Sequence, residues 1–303
     1  MISKKRNNRS SRFKIFHELM SKKVRLILLI STSYEAWIME EDCRLSGPIV
    51  NEYRGLNLSH PPQLIWVSSV HEALDQLEHI PYDMVILISR TVDAAVYDTG
   101  RRIKETSGDM PVAVLTHQET VPETATRYHD ISSSIDQIFF WSGDAGILLA
   151  IIKCIEDQLN VTSDTRTAGI RVIIYVEDSP FYRSAVLPVL YKELVTETQA
   201  VIEDGLNEEH RILTMRVRPK ILLAGSHEQA MDLYERFKPF VLGVISDVRF
   251  PSHGVIDPKA GLKLLRHIKK DRFDIPLLLA SSEPQNAAPA AEIPAVFIDK
   301  NSG

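Results

Sequence analysis

Two adjacent carboxylates, Glu177 and Asp178, directly follow the apolar run RVIIYV, which is typical of a buried strand. A third carboxylate, Asp247, follows a similar run, VLGVIS. Burying an unpaired charge is costly, so a strand that ends in two acids predicts a cation beside it. Because neighbouring carboxylates raise one another's pKa, we expect a divalent ion with oxygen ligands, such as Mg²⁺, to relieve their repulsion.

Each of these features also has a plainer interpretation. The acid pair precedes a good helix start, in which Ser179 is the N-cap and Pro180 the first helical residue. Taken alone, the pair therefore fits helix capping as well as metal binding. A serine at 281 fits an ordinary loop, and Lys300 by itself fits a solvated chain end.

Strand-like and helix-like segments alternate along the chain, which predicts parallel sheets flanked by helices. Five such units occupy residues 24–159, and the polar stretch 160–169 predicts a linker. The pattern restarts at residue 170 and continues to the last residues. The similar order of features in the two copies indicates a tandem duplication.

Each copy is expected to form a doubly wound, flavodoxin-like sheet of five parallel strands in the order 2-1-3-4-5. In such a sheet the first and third strands are neighbours, and ligands bind where their carboxyl ends flank the switch point. Neighbouring strands lie about 4.8 Å apart. We therefore expect Glu177, Asp178 and Asp247 to converge at one edge of the second sheet.

Composition sets broad limits on the chain. Its 303 residues, 44% hydrophobic with a net charge of −5, predict about two domains. Apolar runs are too short to cross a bilayer, and the two cysteines show no metal-ligand spacing, so we expect a cytoplasmic protein without disulfides. Residues 1–23 form a basic leader with only two aromatic residues, Phe13 and Phe16, for base stacking and no long amphipathic face, which disfavours nucleic-acid or anionic-lipid contact.

The second copy resembles the receiver domain of two-component response regulators. The resemblance covers residues 170–300 and depends on the order of five positions at strand ends. The positions, in chain order, are Glu177, Asp178, Asp247, Ser281 and Lys300. The loop that begins at Asp247 reads Asp-Val-Arg-Phe-Pro, which is similar to the loop of that family.

The resemblance implies a role for each of these side chains. Asp247 would accept a phosphoryl group from a phosphohistidine, in a site that holds Mg²⁺. Asp178 would bind the ion directly, Glu177 through water, and the backbone carbonyl of Arg249 would complete the coordination. Lys300 would supply further positive charge, since phosphoryl transfer depends on positioning and on neutralising oxygens.

The same resemblance implies a conformational switch. The Ser281 hydroxyl would move to bind the modified aspartate, and Phe297 would then rotate inward. Two features depart from the family pattern: Asn301 stands where a proline is usual, and residues 252–260 lengthen the loop after Asp247. Neither departure removes a chemical group from the predicted site.

The first copy lacks the predicted chemistry. Ser31 and Thr32 stand where the second copy has its acid pair, and the acceptor position falls on Ser89, or on Ile88 with a one-residue slip. Its fifth strand ends in Trp141 instead of a lysine. We interpret residues 24–159 as a degenerate receiver-like domain that serves packing, dimerisation or partner docking.

These observations lead to a functional hypothesis. The chain would be the phosphoacceptor module of a two-component phosphorelay, without enzymatic activity, in which Mg²⁺-dependent phosphorylation of Asp247 switches a partner or output domain. A histidine kinase or phosphotransfer protein would be its partner, and a homodimer is a further expectation. The alternative is a structural or dimerisation scaffold that is never phosphorylated. The absence of GxGxxG and GxxxxGK(S/T) disfavours a nucleotide-dependent enzyme.

The second domain, residues 170–303, has no helix pattern after its fifth strand, whereas the first copy has one. A sheet face without its helix would expose an apolar patch, so we expect this domain to be truncated. A degenerate receiver followed by an intact one is similar to the front end of some bacterial proteins that continue into a phosphoenolpyruvate/pyruvate-binding region.

Overall fold

The computed structural model describes residues 18–32, 46–56, 58, 61–117, 134–200 and 215–301. Most of the predicted basic leader lies outside these residues, as do residues 33–45, where the alternating pattern of the first copy predicts a helix. Within the described ranges the chain forms two compact units. The first-sheet unit comprises the described residues within 22–156 and 179–200, and the second-sheet unit those within 18–21, 157–178 and 215–301.

The first sheet has five parallel strands in the order β2-β1-β3-β4-β5. Its central strands are continuous apolar runs because both faces of a parallel sheet are covered. The edge strand β2 is partly exposed along most of its length. The strands are β1 (Leu26–Ile30), β2 (Gln63–Val67), β3 (Met84–Ser89), β4 (Val112–Thr116) and β5 (Gln137–Phe140).

The helices between these strands begin at residues that can cap them. Ser69 accepts a hydrogen bond from the Glu72 N–H, and Asp93 accepts two, from the Ala95 and Val96 N–H groups. The described helices of this part of the chain are α1 (Ser46–Gly55), α2 (Val70–His79), α3 (Ala94–Ser107) and the first part of α4 (Gly146–Ala168).

The second sheet repeats this order. Its five parallel strands lie in the order β7-β6-β8-β11-β12. Numbered within the second copy, this is again the order 2-1-3-4-5. The prediction of an α/β fold with two five-stranded parallel sheets in this order is confirmed. The strands are β6 (Val172–Val176), β7 (Lys220–Ala224), β8 (Val241–Asp247), β11 (Leu277–Ser281) and β12 (Val296–Asp299).

The lengthened loop after Asp247 forms a small antiparallel hairpin of β9 (Phe250–Ser252) and β10 (Val255–Asp257). His253 and Gly254 join its strands with φ angles of 52° and 76°. Two consecutive positive φ angles are what a two-residue turn of the I′ type requires, and glycine adopts such an angle without strain.

Besides the last turns of α4, three helices belong to the second-sheet unit, whose buried apolar core includes residues of its strands and of these helices. They are α6 (His227–Phe237), α7 (Ala260–Asp271) and α8 (Ala287–Ala291). The helix that follows β6, α5 (Pro180–Ala200), instead belongs to the first-sheet unit. The sequence pattern predicted that this helix would accompany the strand that precedes it.

The segment 160–169, predicted as a linker, is helical as far as Ala168, and its polar residues Asn160, Asp164 and Thr165 are buried. Asp157 accepts hydrogen bonds from both terminal nitrogens of Arg218, at 2.9 and 2.7 Å, and from the Ile221 N–H. Asp164 lies 3.0 Å from the ammonium of Lys220, which is wholly buried. Partners more than fifty residues away thus hold this polar stretch inside the unit.

No helix in the described ranges is long and apolar enough to cross a membrane.

The buried pair of Asp157 and Arg218 should contribute strongly to stability. Breaking such a pair leaves an uncompensated buried charge, so we expect Asp157→Ala to lower the free energy of unfolding by about 3–5 kcal/mol. Asp98, which pairs with Arg101 on the surface, offers a matched control, because Asp98→Ala should cost less than about 1 kcal/mol. Urea unfolding followed by circular dichroism measures both, and equal losses would contradict this assignment.

Candidate metal centre

Three carboxylates meet at the carboxyl edge of the second sheet. Glu177 and Asp178 follow the last residue of β6, and Asp247 ends β8, the neighbouring strand. One carboxylate oxygen from each lies within 4.8 Å of the others. Glu177 is 2% exposed and the other two are half-buried. Carboxylates this close repel one another unless positive charge lies beside them.

Lys300 supplies positive charge to this cluster. Its ammonium donates to Glu177 Oε2 at 2.6 Å and lies 2.8 Å from Asp247 Oδ1, and its side chain is 7% exposed. The Lys300 backbone N–H donates to the carbonyl of Ser281 at 2.9 Å, which holds the chain end beside β11. Burial opposes the charge on Lys300, but the two carboxylates outweigh burial and raise its pKa.

Ser281 lies at the end of β11, between β8 and β12. Its hydroxyl oxygen accepts a hydrogen bond from the Glu283 N–H at 3.1 Å and another from Asn286 Nδ2 at 3.0 Å. The side chain is buried, and these donors fix its orientation. The sequence did not single out Asn286, which lies in a short 3₁₀ turn five residues further along.

The backbone of Asp247 is held by the first turn of α7. A Cβ atom added at Gly261 would lie 1.9 Å from the Asp247 carbonyl oxygen, so this position admits only glycine without displacement. The Gly261 N–H donates to the Val248 carbonyl. The Ser246 hydroxyl donates to the Asp247 carbonyl. Sequence reasoning missed Gly261; its place just inside a helix, where glycine is unfavourable, was the available signal.

The other two predicted site residues occupy different surroundings. Arg249 is exposed and immediately precedes β9, and the proposed role of its carbonyl as a ligand stays a prediction. Phe297 lies on β12, half-buried against the core of the second-sheet unit. Its predicted part in a switch is likewise untested.

The carboxyl edge of the first sheet presents hydroxyl groups in place of acids. Ser31 is buried and accepts a hydrogen bond from Trp66 Nε1 at 2.8 Å. Thr116 is buried at the end of β4, and its hydroxyl donates to the Arg90 carbonyl. Among the described residues, the Glu177–Asp178–Asp247 group is the one set of acidic, histidine or cysteine side chains that could hold a metal ion.

Comparisons with known proteins give no family. No protein-family model matches the chain, and no curated protein matches it. Similar solved structures include GanP, a glucose-galactose binding protein from Geobacillus stearothermophilus, 10% identical over 89% of this chain and 82% of its own, with a TM-score of 0.25. A carbohydrate transporter solute binding protein from Agrobacterium radiobacter is 8% identical over 90% and 81%, with a TM-score of 0.25.

A third similar structure is the C-terminus of E. coli RcsC, which contains a linker region and a phosphoreceiver domain. It is 14% identical over 93% of this chain and 89% of its own, with a TM-score of 0.30. At these identities and TM-scores, what the three proteins bind cannot be transferred to this chain.

The comparisons contradict the assignment of the chain to the response regulator receiver family. No family model supports it, and the similar structures are mainly sugar-binding proteins. We withdraw the phosphorelay role of Asp247, the alternative of a receiver-like scaffold, and the expected continuation into a phosphoenolpyruvate/pyruvate-binding region. Sheet order alone brings neighbouring strand ends together, so acids that meet there do not identify a family. The expected partners stay untested.

Gly261 should be essential for the position of Asp247. Alanine usually stabilises a helix relative to glycine, yet here its methyl group would collide with the Asp247 carbonyl. We therefore expect Gly261→Ala to lower the free energy of unfolding by about 1–3 kcal/mol. Gly243→Ala is the matched control, because a Cβ there would be 3.4 Å from its nearest atom. Chemical denaturation measures both, and a stabilised Gly261→Ala variant would disprove the contact.

Lys300 should stay charged throughout the neutral range. Since its pKa is raised in the folded protein, its stabilising contribution is complete below its unfolded pKa and is lost only as pH rises through the higher folded value. NMR titration of the lysine Cε resonances should place its midpoint above 10.5. In Glu177→Gln the pKa of Lys300 should fall, because burial lowers this pKa and only Asp247 would remain to raise it. An unchanged midpoint in that variant would contradict the ion pair.

Proposed function

We propose that the second-sheet unit is a Mg²⁺-binding module whose ion site consists of Glu177, Asp178 and Asp247. The observation that carries this proposal is the convergence of three carboxylate oxygens within 4.8 Å at the ends of β6 and β8. The site lies where the sheet order places adjacent strand ends, which is where open α/β sheets bind their ligands.

The chemistry of the donor set supports a hard divalent cation. All three side chains offer carboxylate oxygens, which Mg²⁺ and Ca²⁺ prefer over nitrogen or sulfur ligands. Mg²⁺ generally uses one or two carboxylates and retains several waters, so a small, half-buried group suits it better than Ca²⁺, which takes more protein oxygens. The ion would supply charge neutralisation and ordered water at this edge.

The charge balance supports the same conclusion. Three carboxylates carry three negative charges against the single positive charge of Lys300, which leaves a formal excess of two. One divalent ion would balance that excess. Lys300 contacts one oxygen of Glu177 and one of Asp247, and each carboxylate has a second oxygen. Lys300 can therefore remain beside the acids while an ion binds.

We assign the module a binding role instead of catalytic turnover. The side chain that could serve as a nucleophile at this edge, Ser281, accepts hydrogen bonds from Asn286 and from the Glu283 N–H. Lys300, the neighbouring base, is held in its charged form by two carboxylates, so it would not accept a proton near neutral pH. A general base must be able to take up a proton at the working pH.

Isothermal titration calorimetry of the full chain with MgCl₂ tests the proposal. We expect saturable binding of one ion in the millimolar range or tighter, and a higher melting temperature when the ion is present. Asp247→Asn should weaken binding at least about tenfold, a loss of roughly 1.4 kcal/mol, because one of three anionic ligands is lost.

Asp257→Asn provides the matched control. Asp257 is a carboxylate of the same unit that lies on the hairpin strand β10, outside the ion site. It pairs with Lys263 of α7. Its variant should bind Mg²⁺ like the unmodified chain. Absence of binding, or equal weakening by both substitutions, would refute the assignment of the site.

A further inference from the structure

Polar residues follow the strands β1, β3 and β4 where they end side by side at the carboxyl edge of the first sheet. Ser31 continues β1, because its N–H still donates to the Val67 carbonyl at 3.3 Å. Ser89, the last residue of β3, lies opposite Thr116, the last residue of β4. The gap between β1 and β3 is the switch point of this sheet order, where open α/β sheets bind ligands.

His117, which directly follows Thr116, has a ring nitrogen that lacks a partner. Its Nδ1 atom is buried, and among the described residues no group forms a hydrogen bond with it. Buried polar atoms in folded proteins are nearly always paired, and one that is not calls for an explanation such as a bound group. An oxygen atom of a ligand at this edge would supply the missing partner.

Arg90 and Ser31 add hydrogen-bond donors to the same edge. The Thr116 hydroxyl donates to the Arg90 carbonyl at 3.1 Å, which holds the Arg90 backbone beside β4. Arg90 is exposed, and a guanidinium offers five N–H donors and a permanent positive charge. Ser31 Oγ accepts a hydrogen bond from Trp66 Nε1 at 2.8 Å and still has its own O–H to donate.

Carboxylates near these strand ends have other partners. Among the described residues, the nearest acids in sequence after β2, β3 and β5 are Glu72, Asp93 and Asp144. Each accepts a hydrogen bond from a backbone N–H of its own loop or helix start. The ends of β1, β3 and β4 therefore present a positive charge, an imidazole and hydroxyls, whereas the corresponding ends in the second sheet present acids.

We propose that this edge of the first-sheet unit binds a small oxyanion of the phosphate or sulfate type. Arg90, His117 and Ser31 would donate to its oxygens from the ends of β3, β4 and β1. These three adjacent strands span about 10 Å, which suits a small ion held between side chains. Arginine matches the oxygens of such anions with parallel N–H donors. The inference does not depend on the proposed Mg²⁺ site.

An NMR titration of the full chain with inorganic phosphate tests this inference. Excess EDTA removes divalent ions, and sodium chloride keeps the ionic strength constant. We expect the imidazole resonances of His117 and the indole N–H resonance of Trp66 to shift and saturate, with a dissociation constant in the millimolar range or tighter. Arg90→Gln should weaken binding at least about tenfold, because the charged donor is lost.

Two further variants make the test specific. Arg101→Gln is the matched control, because Arg101 lies on the surface of α3 and pairs with Asp98 and Glu105, so this variant should bind phosphate like the unmodified chain. Thr32→Asp places a carboxylate at the exposed position that corresponds to Asp178 of the second copy, and repulsion should abolish binding. Absence of a saturable shift, or equal weakening by Arg90→Gln and Arg101→Gln, would overturn the inference while leaving the ion site of the second sheet untouched.

Discussion

Repulsion among three carboxylates is the constraint on which the second sheet's edge depends. The order of the strands makes β6 and β8 neighbours, and each ends in acids, so the fold itself creates the concentration of negative charge. Lys300 neutralises part of it from the end of β12, and its backbone is in turn anchored to Ser281. Ion pairs and one backbone hydrogen bond thus link the ends of β6, β8, β11 and β12. The remaining excess of negative charge favours a cation.

The same sheet order has a different outcome in the first-sheet unit. There, Ser31 and Thr116 lie at the corresponding strand ends, and their hydroxyls pair with Trp66 and with the Arg90 carbonyl. Neutral groups satisfy one another by hydrogen bonding and need no ion. The comparison between the two sheets shows that topology supplies the location, whereas the residue types at the strand ends decide what can be held there.

Much of this could be predicted from the sequence, because strand and helix periodicity are local signals. Apolar runs such as LILLI and MVILIS define the central strands, and their alternation with helices predicts parallel sheets, whose order was taken from flavodoxin-like folds. The convergence of Glu177 with Asp247 follows from that order. Membership of the receiver family did not follow, since a handful of strand-end residues reflects shared sheet geometry as readily as common descent.

The features that could not be predicted depend on partners distant in sequence. The stretch 160–169 has the composition of a linker, yet it continues α4, and Asp164 within it pairs with the buried Lys220. The pattern of α5 gives no sign that Arg183 and Ser184 would cover β5. Nor does Gly261 show, in sequence, that the Asp247 carbonyl lies against it.

A crystal structure of the chain grown with Mn²⁺, a substitute for Mg²⁺ with a strong anomalous signal, tests the central claim most directly. The account predicts one anomalous peak within coordination distance of the carboxylate oxygens of Glu177, Asp178 or Asp247, with Lys300 still beside Asp247. A crystal without a peak at these side chains, or with ions bound only at other acids, would contradict it.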